Sequence, residues 1–201
     1  MKIVSWNLLH RNGASLDEIA ALVRHEAPDL LLMQEAADHI DGLVHRVGGY
    51  YARSPLPGRT HGLAAWGPRP LATPPTAVHL PRGMLVKRIC QIVDLGRFAV
   101  ANVHLSHGQL LNRRQLRSVA QALPARAAVL GDCNMIGPPM LPGFRDAGPR
   151  RPTHAMARVM PLRLDRCLVR GLTCEGSQVL ANGGSDHRPI VVLLSVPPDG
   201  P

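Results

Sequence analysis

The chain is poor in aromatic rings, with two Trp, two Tyr and two Phe in 201 residues. Platforms on which nucleobases could stack are therefore sparse. Lysine is nearly missing too, present only as Lys2 and Lys87, so the formal net charge of +9 comes almost wholly from arginine. No apolar run approaches the roughly 20 residues that a membrane-crossing helix needs. The opening Met1-Lys2-Ile3-Val4-Ser5-Trp6 shows one lysine and a short apolar strand, without the cleavage region of a secretory leader, so a cytoplasmic protein is expected. The four cysteines (Cys90, Cys133, Cys167, Cys174) have no C-x-x-C spacing. That argues against a zinc site or disulfide framework and for buried free thiols. No H-E-x-x-H occurs either. Glutamate is missing between Glu35 and Glu175, and aspartate between Asp41 and Asp94.

What remains is a globular composition, 45% hydrophobic and 18% charged, with enough length for one domain and a sizeable core. We expect a single domain over 1–196, a disordered tail over 197–201 and a monomer. The basic balance fits a polyanionic partner, either nucleic acid or a phospholipid surface. Arginine's planar fork suits phosphate oxygens. A coding bias toward arginine gives the same composition, so charge alone does not name a substrate.

Hydrophobic periodicity predicts a strand over 2–6. Ser15-Leu16-Asp17-Glu18 has the form of a capping box, and Ile19, Leu22 and Val23 continue it at helical spacing until Pro28. Residues 29–34 read as a buried strand that ends at Glu35, followed by a helix over about 36–47. Residues 53–83 are proline-rich, with strand-like islands at 61–66 and 76–80. The segments 85–95 and 97–105 read as a hairpin around Gly96. Gln109–Leu123 has helical spacing through Leu110, Leu116, Val119 and Leu123, and further strands are predicted at 127–130, 162–169 and 190–195. Strands mixed with a few helices make this an α/β chain.

Four stretches place carboxylate, carboxamide or imidazole groups directly after apolar runs, where buried strands would end. They are Ser5-Trp6-Asn7-Leu8, Met33-Gln34-Glu35, Gly131-Asp132-Cys133-Asn134 and Ser185-Asp186-His187-Arg188-Pro189. A carboxylate just past a buried strand is costly unless it is paired or metal-bound. Mg²⁺ is a hard cation that favours one or two carboxylates with water and phosphate. If 131–134 is extended, Asp132 and Asn134 share a side. Asn182-Gly183-Gly184 reads as a flexible approach to a tight turn.

With Asn102-Val103-His104 and Leu164-Asp165-Arg166 added, the order W-N, Q-E, N-x-H, G-D-x-N, D-R, S-D-H resembles the endonuclease/exonuclease/phosphatase superfamily, the DNase I-like group, over roughly 1–195. The resemblance implies a four-layer α/β/β/α sandwich of two mixed sheets flanked by helices, and a Mg²⁺-dependent phosphohydrolase, with Mn²⁺ as an alternative ion. It assigns Glu35, Asn7 and Asp186 to the metal. Asp132 becomes the base that activates water, Asn134 and His187 contact the phosphate, and Asp165 orients His187. Cys133 replaces the family's usual phenylalanine and reads as packing. His104 is the candidate general acid. In pancreatic-type DNases that histidine has a glutamate partner from the intervening region, which is missing here. Arg88 and Arg188 are candidate phosphate clamps. His10, His25, His39, His45, His61, His79 and His154 match no motif and are expected at the surface, and His107 is left open.

The favoured expectation is phosphodiester cleavage in DNA or RNA. The alternative is a phospholipid or small phosphorylated metabolite, since Leu164-Asp165-Arg166-Cys167 is distantly similar to the C-D-R element of inositol 5-phosphatases. A non-catalytic binding module would have lost polar site groups that are all present.

Overall fold

A computed structural model describes residues 1–83, 86–156 and 160–198. The first half of the chain runs through β1 (Lys2–Asn7), α1 (Leu16–Glu26), β2 (Leu30–Ala36), α2 (Leu43–Val47), β3 (Tyr50–Pro55), β4 (Gly62–Gly67), β5 (Thr76–His79), β6 (Ile89–Asp94) and β7 (Ala99–His104). The second half comprises α3 (Gln109–Ala122), β8 (Ala127–Asp132), β9 (Arg145–Asp146), β10 (His154–Met156), β11 (Met160–Leu162), β12 (Asp165–Arg170), β13 (Thr173–Val179) and β14 (Ile190–Ser195). One sheet has the order β13-β14-β1-β2-β4-β3 and the other β5-β6-β7-β8-β12-β9, with β10 and β11 forming a separate hairpin. Each six-stranded sheet holds one parallel pair, β1 with β2 and β7 with β8. Helix α1 connects the first pair and α3 the second, the helical crossover that parallel neighbours require.

Strand alternation then sorts the side chains. Ile3, Leu30 and Leu32 of one sheet meet Val100, Ala128 and Leu130 of the other in the middle layer. Val4, Leu31 and Met33 face Ile19 and Val23 of α1. Ala101, Val103 and Val129 face Leu116 and Val119 of α3. The result is the expected four-layer α/β/β/α sandwich. Among the described residues no helix is long and apolar enough to cross a membrane.

The local rules explain most boundaries. The capping box of α1 is complete: Glu18 N donates to Ser15 Oγ (3.2 Å) and Ser15 N to Glu18 Oε2 (2.8 Å). Ala27 closes that helix in the left-handed conformation, ahead of Pro28. Three expectations need correction. Residues 36–47 form a 3₁₀ turn (Asp38–Gly42) and the short α2 instead of one helix, since Gly42 and the Asp residues are weak helix formers. Leu110 is not on the buried stripe of α3, which consists of Asn112, Gln115, Leu116 and Val119. At about 100° per residue, Leu110 lies about 120° around the helix from Leu116. The span 162–169 is split between β11 and β12. Strand β13 was not foreseen because it is an edge strand with mostly polar residues. Position 85 of the predicted hairpin and positions 199–201 of the predicted tail lie outside the described residues.

Polar side chains also cross the middle layer. Gln34 Nε2 donates to Ser5 Oγ (3.0 Å) and to Asn102 Oδ1 (2.7 Å). Asn102 Nδ2 donates to the carbonyls of Met33 (3.1 Å) and Ala64 (3.0 Å) and to Gln91 Oε1 (3.2 Å). The Gln of Q-E and the Asn of N-x-H thus join the two sheets just beneath the strand ends. Asn102→Ala should lower unfolding free energy by about 3–5 kcal/mol in urea titration, because several buried partners are left unpaired. A loss below about 1 kcal/mol would show that the network carries no such weight.

Candidate active site

The C-terminal ends of β1, β2, β7 and β8 converge on one cleft of about 390 Å³. Asn7, Glu35, His104, Asp132, Asn134, Asp186 and His187 all line it. Two backbone devices aim the groups. Alternation would send residue 35 toward the face of Leu31 and Met33, under the helices. A bulge between Gln34 and Ala36, with Glu35 at φ +56°, turns the carboxylate into the cleft instead. Gly131 sits at φ +135°, and a Cβ there would fall 2.1 Å from the Val103 carbonyl oxygen. The glycine of G-D-x-N thus lets β8 approach β7 closely enough to place Asp132 beside His104.

Asp132 is buried at the centre. Asn7 Nδ2 donates to its Oδ2 (3.0 Å) and Asn134 N to its Oδ1 (2.9 Å), while Asn134 Nδ2 reaches Oδ2 (3.3 Å) and the Leu105 carbonyl (2.9 Å). Asn134 lies at φ +46°, so it joins Asp132 through a turn and not through the extended segment that the sequence suggested. His104 Nε2 and His187 Nε2 stand 3.4 and 3.7 Å from Asp132 Oδ2. Burial raises the Asp132 pKa, His187 opposes this and Asp165 adds to it, for a net rise.

His187 is held from three directions. Its Nδ1 contacts Asp165 Oδ2 (2.8 Å), its carbonyl accepts from Trp6 Nε1 (2.9 Å), and its N–H donates to Ser185 Oγ (3.1 Å), which in turn donates to the Asn7 carbonyl (2.6 Å). The W-N and S-D-H motifs are therefore tied together. Gly183 packs where a Cβ would lie 2.9 Å from the Trp6 ring, and Gly184 N donates to Glu18 Oε1 (2.7 Å). That approach is pinned and not the flexible one expected. Burial lowers the His187 pKa, but Asp165, Asp132 and Asp186 together outweigh it and raise the value to about 9.

His104 does have carboxylates beside it, Asp132 and also Glu35 Oε1 at 3.8 Å, although neither comes from the intervening region. Burial, with the positive charges of Arg88 and His187, pushes its pKa well down. That shift favours the neutral imidazole, a form suited to donating a hydrogen bond.

Three histidines expected at the surface belong to the site. His10 Nδ1 lies 2.5 Å from Glu35 Oε2, His10 N donates to the same oxygen (3.2 Å), and His61 stacks on His10 with centroids 3.9 Å apart. Burial raises the Glu35 pKa, but the His10 bonds outweigh it and leave the carboxyl below its ordinary value. His154 bridges His187 through the backbone, its ring is 4.5 Å from that of His187, and its Nε2 is 3.3 Å from Asp186 Oδ2. His107 also lines the cleft. Lone histidines outside any motif carried no sequence signal for this.

Neither candidate arginine lines the cleft. Arg88 is buried, and its guanidinium makes no hydrogen bond or ion pair among the described residues. Burial lowers its pKa, opposed by Asp132 and Glu35. Arg188 is not brought into the cleft: its Nε donates to the Leu180 carbonyl (2.8 Å). Cys133 packs in the α3 core, as the sequence suggested, and burial pushes its thiol pKa up.

Among the described residues two groups of His, Asp, Glu or Cys side chains could hold a metal ion, Asp132 with Asp165 and His187, and His154 with Asp186 and His187; within each group the ligand atoms lie within 4.8 Å of one another. A family model described as "Endonuclease/Exonuclease/phosphatase family" matches residues 4–187, and the chain belongs to that family. A search of curated proteins gives no match. Among solved structures, an endonuclease/exonuclease/phosphatase from Bacteroides vulgatus is 16% identical at a TM-score of 0.81, covering 97% of this chain and 98% of that one. Another from Beutenbergia cavernae is 19% identical at 0.74, covering 98% and 71%. TDP2 from D. rerio, complexed with single strand DNA product, is 14% identical at 0.79, covering 98% and 99%. At these identities the likeness concerns the fold.

In metal-free protein the His187 ring should titrate near pH 9 by NMR, and Asp165→Asn should move it toward the ordinary 6.5. Because the folded value is the higher one, this pairing stabilises the fold fully below pH 6.5 and its contribution fades as pH rises through about 9. A wild-type His187 titrating at or below 6.5 would contradict the pairing.

Proposed function

We propose that the protein is a divalent-metal-dependent phosphoric diester hydrolase. The observation that carries this reading is Glu35, a carboxylate turned into the cleft by a strained backbone bulge, with Asn7 at the end of the neighbouring strand. Among the described residues Glu35 Oε1 has only the 3.8 Å contact to His104, and Asn7 Oδ1 only a 3.2 Å bond from Leu9 N. Asp165 Oδ1 is buried with no hydrogen-bond partner. These hard oxygen donors fit Mg²⁺ or Mn²⁺. Glu35 and Asn7 would hold the ion, with Asp186 as a further carboxylate in the same cleft. When bound, such an ion polarises a phosphoryl oxygen and offsets charge on the leaving oxygen.

The remaining steps fall to the chain's own groups. Asp132, with its raised pKa and fixed orientation, takes the proton of the attacking water. His187, kept as imidazolium by Asp165, faces the phosphate oxygens as charge develops on them. Asn134 and the neutral His104 add hydrogen-bond donors. Arg88 does not line the cleft but is buried near enough to interact electrostatically with Asp132 and Glu35, and so adds positive charge behind the site.

A nucleic-acid strand as substrate is supported by the net charge of +9 and by the fold shared with TDP2, which was solved with single strand DNA product. A second reading, an amphiphilic phosphodiester, is favoured by one observation in the cleft itself: among the described residues no Phe, Tyr or Trp lines it. Both readings use the same chemistry.

Glu35→Ala should abolish Mg²⁺-dependent hydrolysis of bis-p-nitrophenyl phosphate. Metal-free stability should change by no more than about 1 kcal/mol, because the lost His10 bonds are offset by relief of the carboxylate's burial. Wild-type turnover in this variant at saturating Mg²⁺ would overturn the assignment.

A further inference from the structure

Part of the cleft lining is hydrocarbon. Leu9, Ile136, Met160, Leu162 and Leu164 line it together with the carboxylates and imidazoles. Some of this apolar surface is open to solvent. Among the described residues six large aliphatic side chains are well exposed, and four of them lie on segments that also supply cleft residues: Leu110 (88%) at the start of α3, Ile136 (61%) and Met140 (69%) on the loop after β8, and Met160 (51%) on β11. Ile136 and Met160 line the cleft themselves. Leu110 follows the cleft residue Gln109, and Met140 lies four residues past Ile136 on the same loop. Single exposed aliphatics are ordinary, but several gathered at the mouth of one site mark a place where apolar surface is meant to be covered.

The chemistry of this collar selects its occupant. A nucleic-acid strand presents flat bases, which proteins hold mainly on large aromatic rings, and among the described residues neither the cleft lining nor the collar has a Phe, Tyr or Trp, the rings there being imidazoles. Leu, Ile and Met instead match flexible hydrocarbon chains. The chain as a whole has 23 basic against 14 acidic residues, a balance that favours an anionic partner. Buried apolar area and electrostatic attraction together are what seat a soluble protein on a lipid interface.

We infer that the cleft takes a phosphodiester with an aliphatic chain close to the scissile phosphate, presented at an anionic phospholipid surface on which Leu110, Ile136, Met140 and Met160 dock. This rests on the phosphodiesterase reading above and gives it a substrate class. The reaction is unchanged: a water oxygen bonds to phosphorus, its proton goes to Asp132, and the P–O bond to the leaving group breaks with that oxygen keeping the electron pair.

The test uses the full chain with Mg²⁺ and three probes: bis-p-nitrophenyl phosphate, phosphatidylglycerol vesicles beside phosphatidylcholine vesicles, and a single-stranded DNA oligonucleotide. Wild type should pellet with phosphatidylglycerol vesicles at physiological ionic strength, release product from them, and bind phosphatidylcholine more weakly. Leu110→Ser with Met140→Ser, which alters two exposed side chains, should reduce vesicle binding and the ratio of vesicle to soluble-diester turnover by at least about tenfold. Soluble-diester hydrolysis without vesicle binding, or with the oligonucleotide as the better substrate and the ratio unmoved in the double variant, would overturn the lipid inference and leave the reaction standing. Failure to hydrolyse any of the three probes would overturn the reaction itself.

Discussion

The whole arrangement depends on one buried carboxylate. Asp132 lies at the meeting point of both sheets, with a carboxamide from each sheet, Asn7 and Asn134, donating to it and an imidazole on either side. An isolated charge in that position would be costly. Its cost is offset only because four separate stretches of chain bring polar groups to the same place. The two parallel pairs do this geometrically. Each crossover brings two strand ends to the same edge of the sandwich, and the polar bridge through Gln34, Asn102 and Gln91 fixes the sheets relative to one another just below.

The supporting shell shows how the motifs act as a unit. Trp6 and Ser185 do no chemistry, yet their bonds join the loop carrying Asp186 and His187 to the end of β1. Thr153 Oγ1 accepts from both Leu164 N (3.1 Å) and Asp165 N (3.0 Å), and so positions the carboxylate that orients His187. Rigidity of this kind is what holds reacting groups within the small tolerances that catalysis needs.

Much of this was legible in the sequence. Polar residues directly after apolar strands pointed to Asn7, Glu35, His104 and Asp132, the S-D-H motif pointed to His187, which precedes β14, and the order of the motifs identified the fold. The S-x-x-E signal placed α1 correctly. What stayed hidden was tertiary. No local pattern tells that His10, three residues past Asn7, folds back onto Glu35, or that His154 packs on His187. The bulge at Glu35 and the turn at Asn134 break the alternation on which strand reasoning depends. Leu110 was misplaced by a helical phase, and only the structure shows that this leucine and Met140 are exposed.

The most direct measurement of the central claim is single-turnover hydrolysis of bis-p-nitrophenyl phosphate in ¹⁸O-water by wild type and Asp132→Asn, with Mn²⁺ binding followed by electron paramagnetic resonance. Loss of the general base should slow the chemical step by about 10²–10⁴-fold. The label should enter the phosphate product, and Mn²⁺ affinity should remain within a few-fold, since Glu35 and Asn7 keep their oxygens. A variant that turns over at the wild-type rate, or a wild-type product without the label, would contradict the account.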